Sequence, residues 1–272
     1  MSTGPTVVVT GAGHGLGAAI ADAAAAAGWT VGVLDIDGDA AGRTADGLGG
    51  RGVALAADTT DERGVEAALD RLAEATGRAA PDAVVCNAGI VRFGPLLDAS
   101  ADDWRAVVDV NLTGTFMTAR AVARRLIGTG QPGSIVTVTS MNGVAPGPNS
   151  GAYGATKAGV ARLTQQMALE WGAHGIRANA VAPGLIDAGM SEPVYADPDI
   201  RRRRSSRVPL GRLGRSSDVA AVVLFLLSDA AAYVTGTELL VDGGVTMSVI
   251  ATLPRPETVD SVGVTDPDGG DR

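Results

Sequence analysis

Residues 10–17 read Thr10-Gly11-Ala12-Gly13-His14-Gly15-Leu16-Gly17. They follow a β-branched run at 6–10 and open an Ala-rich stretch of helical length at 17–27. A strand that turns through glycines straight into a helix is the start of a βαβ unit. Without Cβ atoms the backbone can approach a pyrophosphate, and the helix N-terminus supplies N–H donors at the positive end of its dipole. Residues 13–18 also satisfy the looser G-x-G-x-x-G/A pattern. The alternative, a glycine turn that merely packs a helix on a strand, is weighed against this context, and the context favours a nucleotide.

Further β-branched runs lie at 31–35, 53–57, 83–86, 134–139, 176–182 and 238–241. Between them fall helical stretches at 61–75, 102–127, 151–173 and 217–228, with a weaker one at 40–48. Most of the strands lack apolar/polar alternation, as strands covered on both faces of a parallel sheet do. The alternation of strand and helix predicts a doubly wound α/β domain of seven mainly parallel strands over residues 1–247. Residues 186–215, with Pro193, Pro198, Pro209 and the run 201–204 of arginines, read as an irregular lid. Residues 248–272, rich in Pro, Asp, Gly and Thr, read as a polar tail.

Composition narrows the function. The 272 residues are 46% hydrophobic and 19% charged, enough for a sizeable core, and only 3% aromatic, so that core is built from small and branched aliphatics. A net charge of −8 argues against nucleic acid and anionic membrane as partners. The longest apolar run, 219–227, is far shorter than a bilayer span, and no secretory signal opens the chain. A cytoplasmic location is therefore expected. A single cysteine, Cys86, excludes an internal disulfide framework, and His14 and His174 stand far apart, so no metal site is expected.

Asp35 ends the second strand about 20 residues beyond the glycines, where a carboxylate accepts hydrogen bonds from a ribose 2′-hydroxyl. A 2′-phosphate there would meet Asp35 and Asp37 with no adjacent arginine, so NAD(H) is preferred over NADP(H). Tyr153 and Lys157 stand four apart at the start of a helix, which puts phenol and ammonium on one face. A phenol with an ordinary pKa near ~10 needs a neighbouring cation to exchange protons near neutrality, and Lys157 is in place to be one. Ser140, thirteen positions earlier, offers a hydroxyl to orient a carbonyl. Arg201–Arg204 read as a solvated charge run and Cys86 as a small buried strand residue.

These pieces carry a resemblance to the short-chain dehydrogenase/reductase family in its compact single-domain branch, with a broad similarity to 3-oxoacyl carrier-protein reductases. The matching motifs are TGAGHGLG at 10–17, Asp35, Asp58, Asn87-Ala88-Gly89 and Asn111 within NLTGTF. They continue through Ser140, Tyr153 with Lys157, Pro183-Gly184 and Val241-Asp242-Gly243-Gly244, so the match runs from about residue 6 to 247. The resemblance implies a Rossmann-type fold and NAD(H)-linked interconversion of a secondary alcohol and a ketone. It gives Tyr153 the part of general acid or base, and Ser140 that of hydrogen-bonding the reacting oxygen. Lys157 would hold the nicotinamide ribose and lower the phenol pKa, and Asn111 would keep a relay water. Gly11, His14, Gly15, Leu16 and Gly17 would line the cofactor cleft with Asp35, Ile36, Asp58, Thr59, Asn87, Ala88, Gly89, Pro183, Gly184 and Ile186. Met141, Asn142 and Asn149, on the loop from serine to tyrosine, would face a small-molecule alcohol or ketone beside Ser140 and Tyr153. Where the family often has a threonine that fixes the nicotinamide amide, this chain has Ala188. The family's helices at 102–127 and 151–173 form dimers and tetramers, so a homodimer or homotetramer is implied. The rival readings are a catalytically silent NAD(H)-binding sensor or scaffold and a dehydratase or epimerase with a larger substrate domain. Ser140, Tyr153, Lys157 and Asn111 together argue against the first, and the short stretch after Lys157 against the second.

Overall fold

A computed structural model describes residues 4–248, so the tail expected at 248–272 lies outside the described residues except for Ser248. The expected strands are all present, with ends shifted by a residue or so. They are β1 (Thr6–Thr10), β2 (Thr30–Asp35), β3 (Gly52–Ala56), β4 (Ala83–Cys86), β5 (Gly133–Val138), β6 (Ile176–Pro183) and β7 (Glu238–Val241). They form one sheet in the order β3-β2-β1-β4-β5-β6-β7, every neighbouring pair parallel.

The helices are α1 (Gly15–Ala26), α2 (Gly38–Gly47), α3 (Glu62–Thr76), α4 (Ala101–Val108), α5 (Thr115–Thr129) and α6 (Met141–Val144). Then follow α7 (Tyr153–Trp171), α8 (Glu192–Tyr195), α9 (Pro198–Ser205) and α10 (Ser216–Leu227). They cover both faces of the sheet, which is why β1, β2 and β4 are buried throughout and show no alternation. Successive β1 side chains enter different cores. Val7 and Val9 pack with Ile20, Val223 and Leu226 of α1 and α10, and Val8 with Leu69, Leu126 and Met167 of α3, α5 and α7. Burying each such leucine or isoleucine contributes about 1.5–3 kcal/mol.

Two segments depart from the sequence reading. The helix expected over 102–127 is interrupted by a π turn at Asp109–Gly114, between α4 and α5. The lid at 186–215 is not wholly irregular, since it carries α8 and α9. Pro193 and Pro198 stand in their first turns, where a missing N–H removes no helical bond.

Chain order reverses between β1 and β4, which places a crevice outside the carboxyl ends of these strands. The glycine turn, the β4 exit, the π turn, α6, the start of α7 and the β6 exit all open toward it.

Candidate active site

The glycine turn is held in place by close packing. A Cβ on Gly17 would sit 2.1 Å from the Gly11 carbonyl oxygen, so a side chain there collides with backbone. Thr10 and Asn87 latch the turn to β4. The Thr10 hydroxyl accepts the Asn87 and Ala88 N–H groups at 3.0 Å each, and Asn87 Nδ2 donates to the Thr10 and Gly11 carbonyls at 3.0 and 3.2 Å. Asn87 was expected to line the cleft. Its side chain also serves the turn, a role the sequence did not disclose. His14 is the N-cap of α1 without a side-chain capping bond, and the first turn holds no acid. The leading N–H groups of α1 therefore lack a protein anion, as a dinucleotide pyrophosphate cradle requires.

Asp35 is buried at the end of β2, with Oδ2 accepting the Gly13 N–H at 2.8 Å and Oδ1 the Asp37 N–H at 3.0 Å. Asp37 caps α2, accepting from the Asp39 and Ala40 N–H groups, so its charge also serves that helix. Ile36 stands between them, 72% exposed, as an apolar shelf at the crevice edge. Asp58 folds back to accept from the Thr60 N–H and hydroxyl at 2.8 Å each. Buried Thr59 packs under the π turn, its hydroxyl 2.7 Å from where a Gly114 Cβ would be.

Ser140 follows β5 and caps α6, its hydroxyl accepting the Asn142 N–H at 3.2 Å. Tyr153 opens α7, half-buried, with the Ser140 hydroxyl beside it. Burial raises the phenol above its ordinary 10.0, and Ser140 pulls the other way. Lys157, one helical turn on, is buried and donates from Nζ to the Val138 carbonyl at 2.8 Å, its ammonium 5.6 Å from the centre of the Tyr153 ring. Desolvation pushes it down to about 8, opposed by the neighbouring Cys86. Cys86 itself is pushed by burial up to about 12, with Lys157 opposing. Lys157 thus shares a face with the phenol as expected, but it is not what moves that pKa here. Burial is.

Asn111 sits in the π turn, fully buried. Its Oδ1 accepts the Ile90 N–H at 2.8 Å, while Nδ2 donates to the Ile90 carbonyl at 3.0 Å and to Thr156 Oγ1 at 3.2 Å. The extra residue of a π turn is a common device for aiming a side chain at a site. A Cβ on Gly89 would lie 3.2 Å from Asn111 Oδ1 and 3.4 Å from Lys157 Nζ, so the β4 exit, Asn111 and Lys157 meet at one place. Thr156 and Ile90 complete this group and were missed from sequence. The hydroxyl of Thr139, just before Ser140, reaches Val181 O at 3.0 Å and Glu238 Oε1, bracing the end of β5.

The β6 exit closes the far wall. Pro183 ends β6, and a Cβ on Gly184 would stand 2.5 Å from Asp242 Cα, so only glycine fits there. Ile186 bridges to Gly214, and Gly189, just after Ala188, lies against Gly15 of the glycine turn. Asp187 pairs with Arg201 of α9, Arg202 with Asp199, and the Arg204 guanidinium covers the Tyr195 ring. The arginine run is therefore largely engaged within the lid. A mainly apolar cavity of about 540 Å³ lies under the lid, walled by Leu185, Ile186, Val208, Leu210, Leu240 and Val241. Arg212, Asp218 and Asp242 also border it, and neither Ser140 nor Tyr153 lines it. Met141 and Asn142 are half-buried next to Ser140. Asn149 is exposed with φ of 61°, the sole non-glycine residue of positive φ among the described residues, and its carbonyl accepts the Gly94 N–H at 3.0 Å.

Comparison with known proteins gives concordant results. A family model described as enoyl-(acyl carrier protein) reductase matches residues 11–246. A 3beta-hydroxysteroid dehydrogenase 1 from Eggerthella lenta is 39% identical over 249 residues, covering 90% of this chain and 94% of the relative. An L-rhamnose 1-dehydrogenase (NAD(P)(+)) from a Sphingomonas species is 40% identical, covering 89% and 96%. Among solved structures, a short-chain type dehydrogenase/reductase from Mycobacterium marinum superposes with a TM-score of 0.84 at 35% identity, covering 90% and 96%.

Proposed function

The chain belongs to the short-chain dehydrogenase/reductase family, and from that premise we propose that it interconverts a secondary alcohol and a ketone by hydride transfer with NAD(H). The observation that carries the reading is the half-buried Tyr153 phenol beside the Ser140 hydroxyl at the carboxyl end of a doubly wound sheet. The glycine turn, the open N-terminus of α1 and the Asp35 carboxylate fit a dinucleotide. Bound there, the nicotinamide would supply the site that accepts or donates hydride.

The chain's own side chains then divide the remaining work. Ser140 orients the substrate oxygen by hydrogen bonding. Tyr153 passes a proton to that oxygen in reduction and takes it in oxidation. A phenol held above 10 stays protonated at neutral pH, which suits ketone reduction, and alcohol oxidation gains as pH rises. Lys157 brings positive charge beside the phenol, and Asn111 fixes the backbone around Ile90 on which Lys157 and Gly89 converge.

Asp35 and the absence of an arginine at the end of β2 support NAD(H) over NADP(H), whereas the Sphingomonas relative takes both. The steroid and sugar alcohols named for the relatives support a small hydroxy/keto compound as substrate. Exposed Phe93, Leu96, Leu97 and Trp104 support association of this chain into a homodimer or homotetramer. Among the described residues no helix is long and apolar enough to cross a membrane.

The test is a panel of secondary alcohols and ketones followed through NADH absorbance, with Ser140→Ala beside the native chain. The reading expects turnover on members of the panel and a loss of about 10²-fold or more in Ser140→Ala. A variant that turns over at the native rate refutes the assignment of Ser140.

A further inference from the structure

Residues 138–140, where β5 ends, carry three different duties. Val138 offers the carbonyl that holds Lys157 Nζ at 2.8 Å, and Ser140 presents its hydroxyl beside Tyr153. Thr139, buried between them, ties the strand end sideways. Its N–H donates to the Val181 carbonyl of β6 at 2.8 Å, and its hydroxyl lies 3.0 Å from that carbonyl and 2.5 Å from Glu238 Oε1 of β7. A hydroxyl has one proton to give. The Val181 carbonyl is already served by the N–H, so the proton goes to the nearer carboxylate oxygen, the stronger acceptor.

Glu238 reaches Thr139 by crossing a whole strand. It stands opposite Ala180 of β6, which stands opposite Thr137 of β5. On that face β6 carries only Ala178, Ala180 and Ala182, and their methyl groups leave the carboxylate a path across two strand spacings of ~4.8 Å. The start of β7 is itself pinned. Fully buried Asn179 accepts the Thr237 N–H at 3.2 Å and donates to the Val234 carbonyl at 2.8 Å. We propose that Glu238 is a positioning residue that holds Ser140 and the Lys157 anchor in place through Thr139, an inference that rests on the catalytic reading above. Without this strut the end of β5 is held by the β6 ladder alone, and Val138 and Ser140 shift together. A displacement of about 1 Å at a reacting group costs up to about 100-fold in rate.

Ketone reduction and NADH calorimetry on Glu238→Ala, Glu238→Gln, Thr139→Val and Thr139→Ser test this, with a crystal structure of Glu238→Ala beside the native one. The expected result is a kcat lower by ~10- to 100-fold in Glu238→Ala and Thr139→Val, with the NADH dissociation constant within about threefold of native. Glu238→Gln keeps an acceptor and Thr139→Ser keeps a hydroxyl, so both return to within about threefold of the native kcat. Combining Glu238→Ala with Thr139→Val slows the chain no further, because both break one bond. In the Glu238→Ala crystal Ser140 Oγ moves by about 0.5 Å or more. A native kcat in Glu238→Ala, or a Ser140 Oγ that stays in place, refutes the strut and leaves the catalytic reading standing. Glu238→Gln as slow as Glu238→Ala assigns the effect to charge and refutes it equally. A native chain that reduces no ketone of the panel overturns the catalytic reading, and the position of Ser140 Oγ still decides the strut.

Discussion

Lys157 is the chain's sole lysine and Cys86 its sole cysteine, both buried and each opposing the other's shift. That isolation makes the cost of burying the ammonium measurable as a pH dependence of stability. The folded lysine releases its proton near 8, whereas the unfolded chain keeps it to 10.5. Above pH 8 the unfolded state therefore binds more protons, and stability rises with pH by about 2.5 kcal/mol between pH ~7 and ~10. Cys86 runs the other way. Its unfolded thiol ionises from 9.0 and its folded thiol from about 12, so stability falls by about 1.4 kcal/mol over the same window. The native chain should thus gain about 1 kcal/mol, most of it below pH ~9. Lys157→Met should lose about 1.4 kcal/mol across the window, and Cys86→Ser should gain the full ~2.5. Urea unfolding of the three proteins without cofactor over the same window reads these differences, because the destabilising slope of the raised Tyr153 phenol, which sets in near 10, is common to all three. Parallel stability curves for the native chain and Lys157→Met would refute the reasoning, since the ammonium would then be as well solvated folded as unfolded.

Other perturbations test the supports of the site. Asn111→Ala strips partners from the half-buried Ile90 N–H and carbonyl and should destabilise by about 1–3 kcal/mol, measured by denaturant midpoint. Asn111→Asp, which keeps the acceptor, should recover part of that loss. Gly17→Ala forces a methyl to within 2.1 Å of the Gly11 oxygen. It should cost about 1–3 kcal/mol of stability and weaken dinucleotide binding in calorimetry, because the turn must open.

The sheet was legible because β1, β2 and β4 are covered on both faces, so unbroken β-branched runs betray them. The glycine turn and the Ser140–Tyr153–Lys157 spacing were legible for the same local reason, since each depends on residues near in sequence. The π turn was not. Residues 102–127 carry no proline and keep a helical pattern, and the extra residue is stabilised by Asn111 reaching Ile90, 21 positions away. The lid helices were obscured by prolines that read as breakers yet occupy first turns. The phenol and ammonium shifts also escaped the sequence, because spacing gives proximity whereas burial, which dominates both, is a property of the packed fold. The latch that Asn87 forms with Thr10 was not legible, since it joins two strand ends 77 residues apart.

The central claim is that the Tyr153 hydroxyl carries the proton that accompanies hydride transfer. Tyr153→Phe removes that oxygen alone. In the same protein sample, NADH binding measured by calorimetry should stay within about threefold of native. NADH oxidation with the best ketone of the panel should fall by about 10²–10⁴-fold. Native-rate turnover in this variant, with binding intact, would contradict the account.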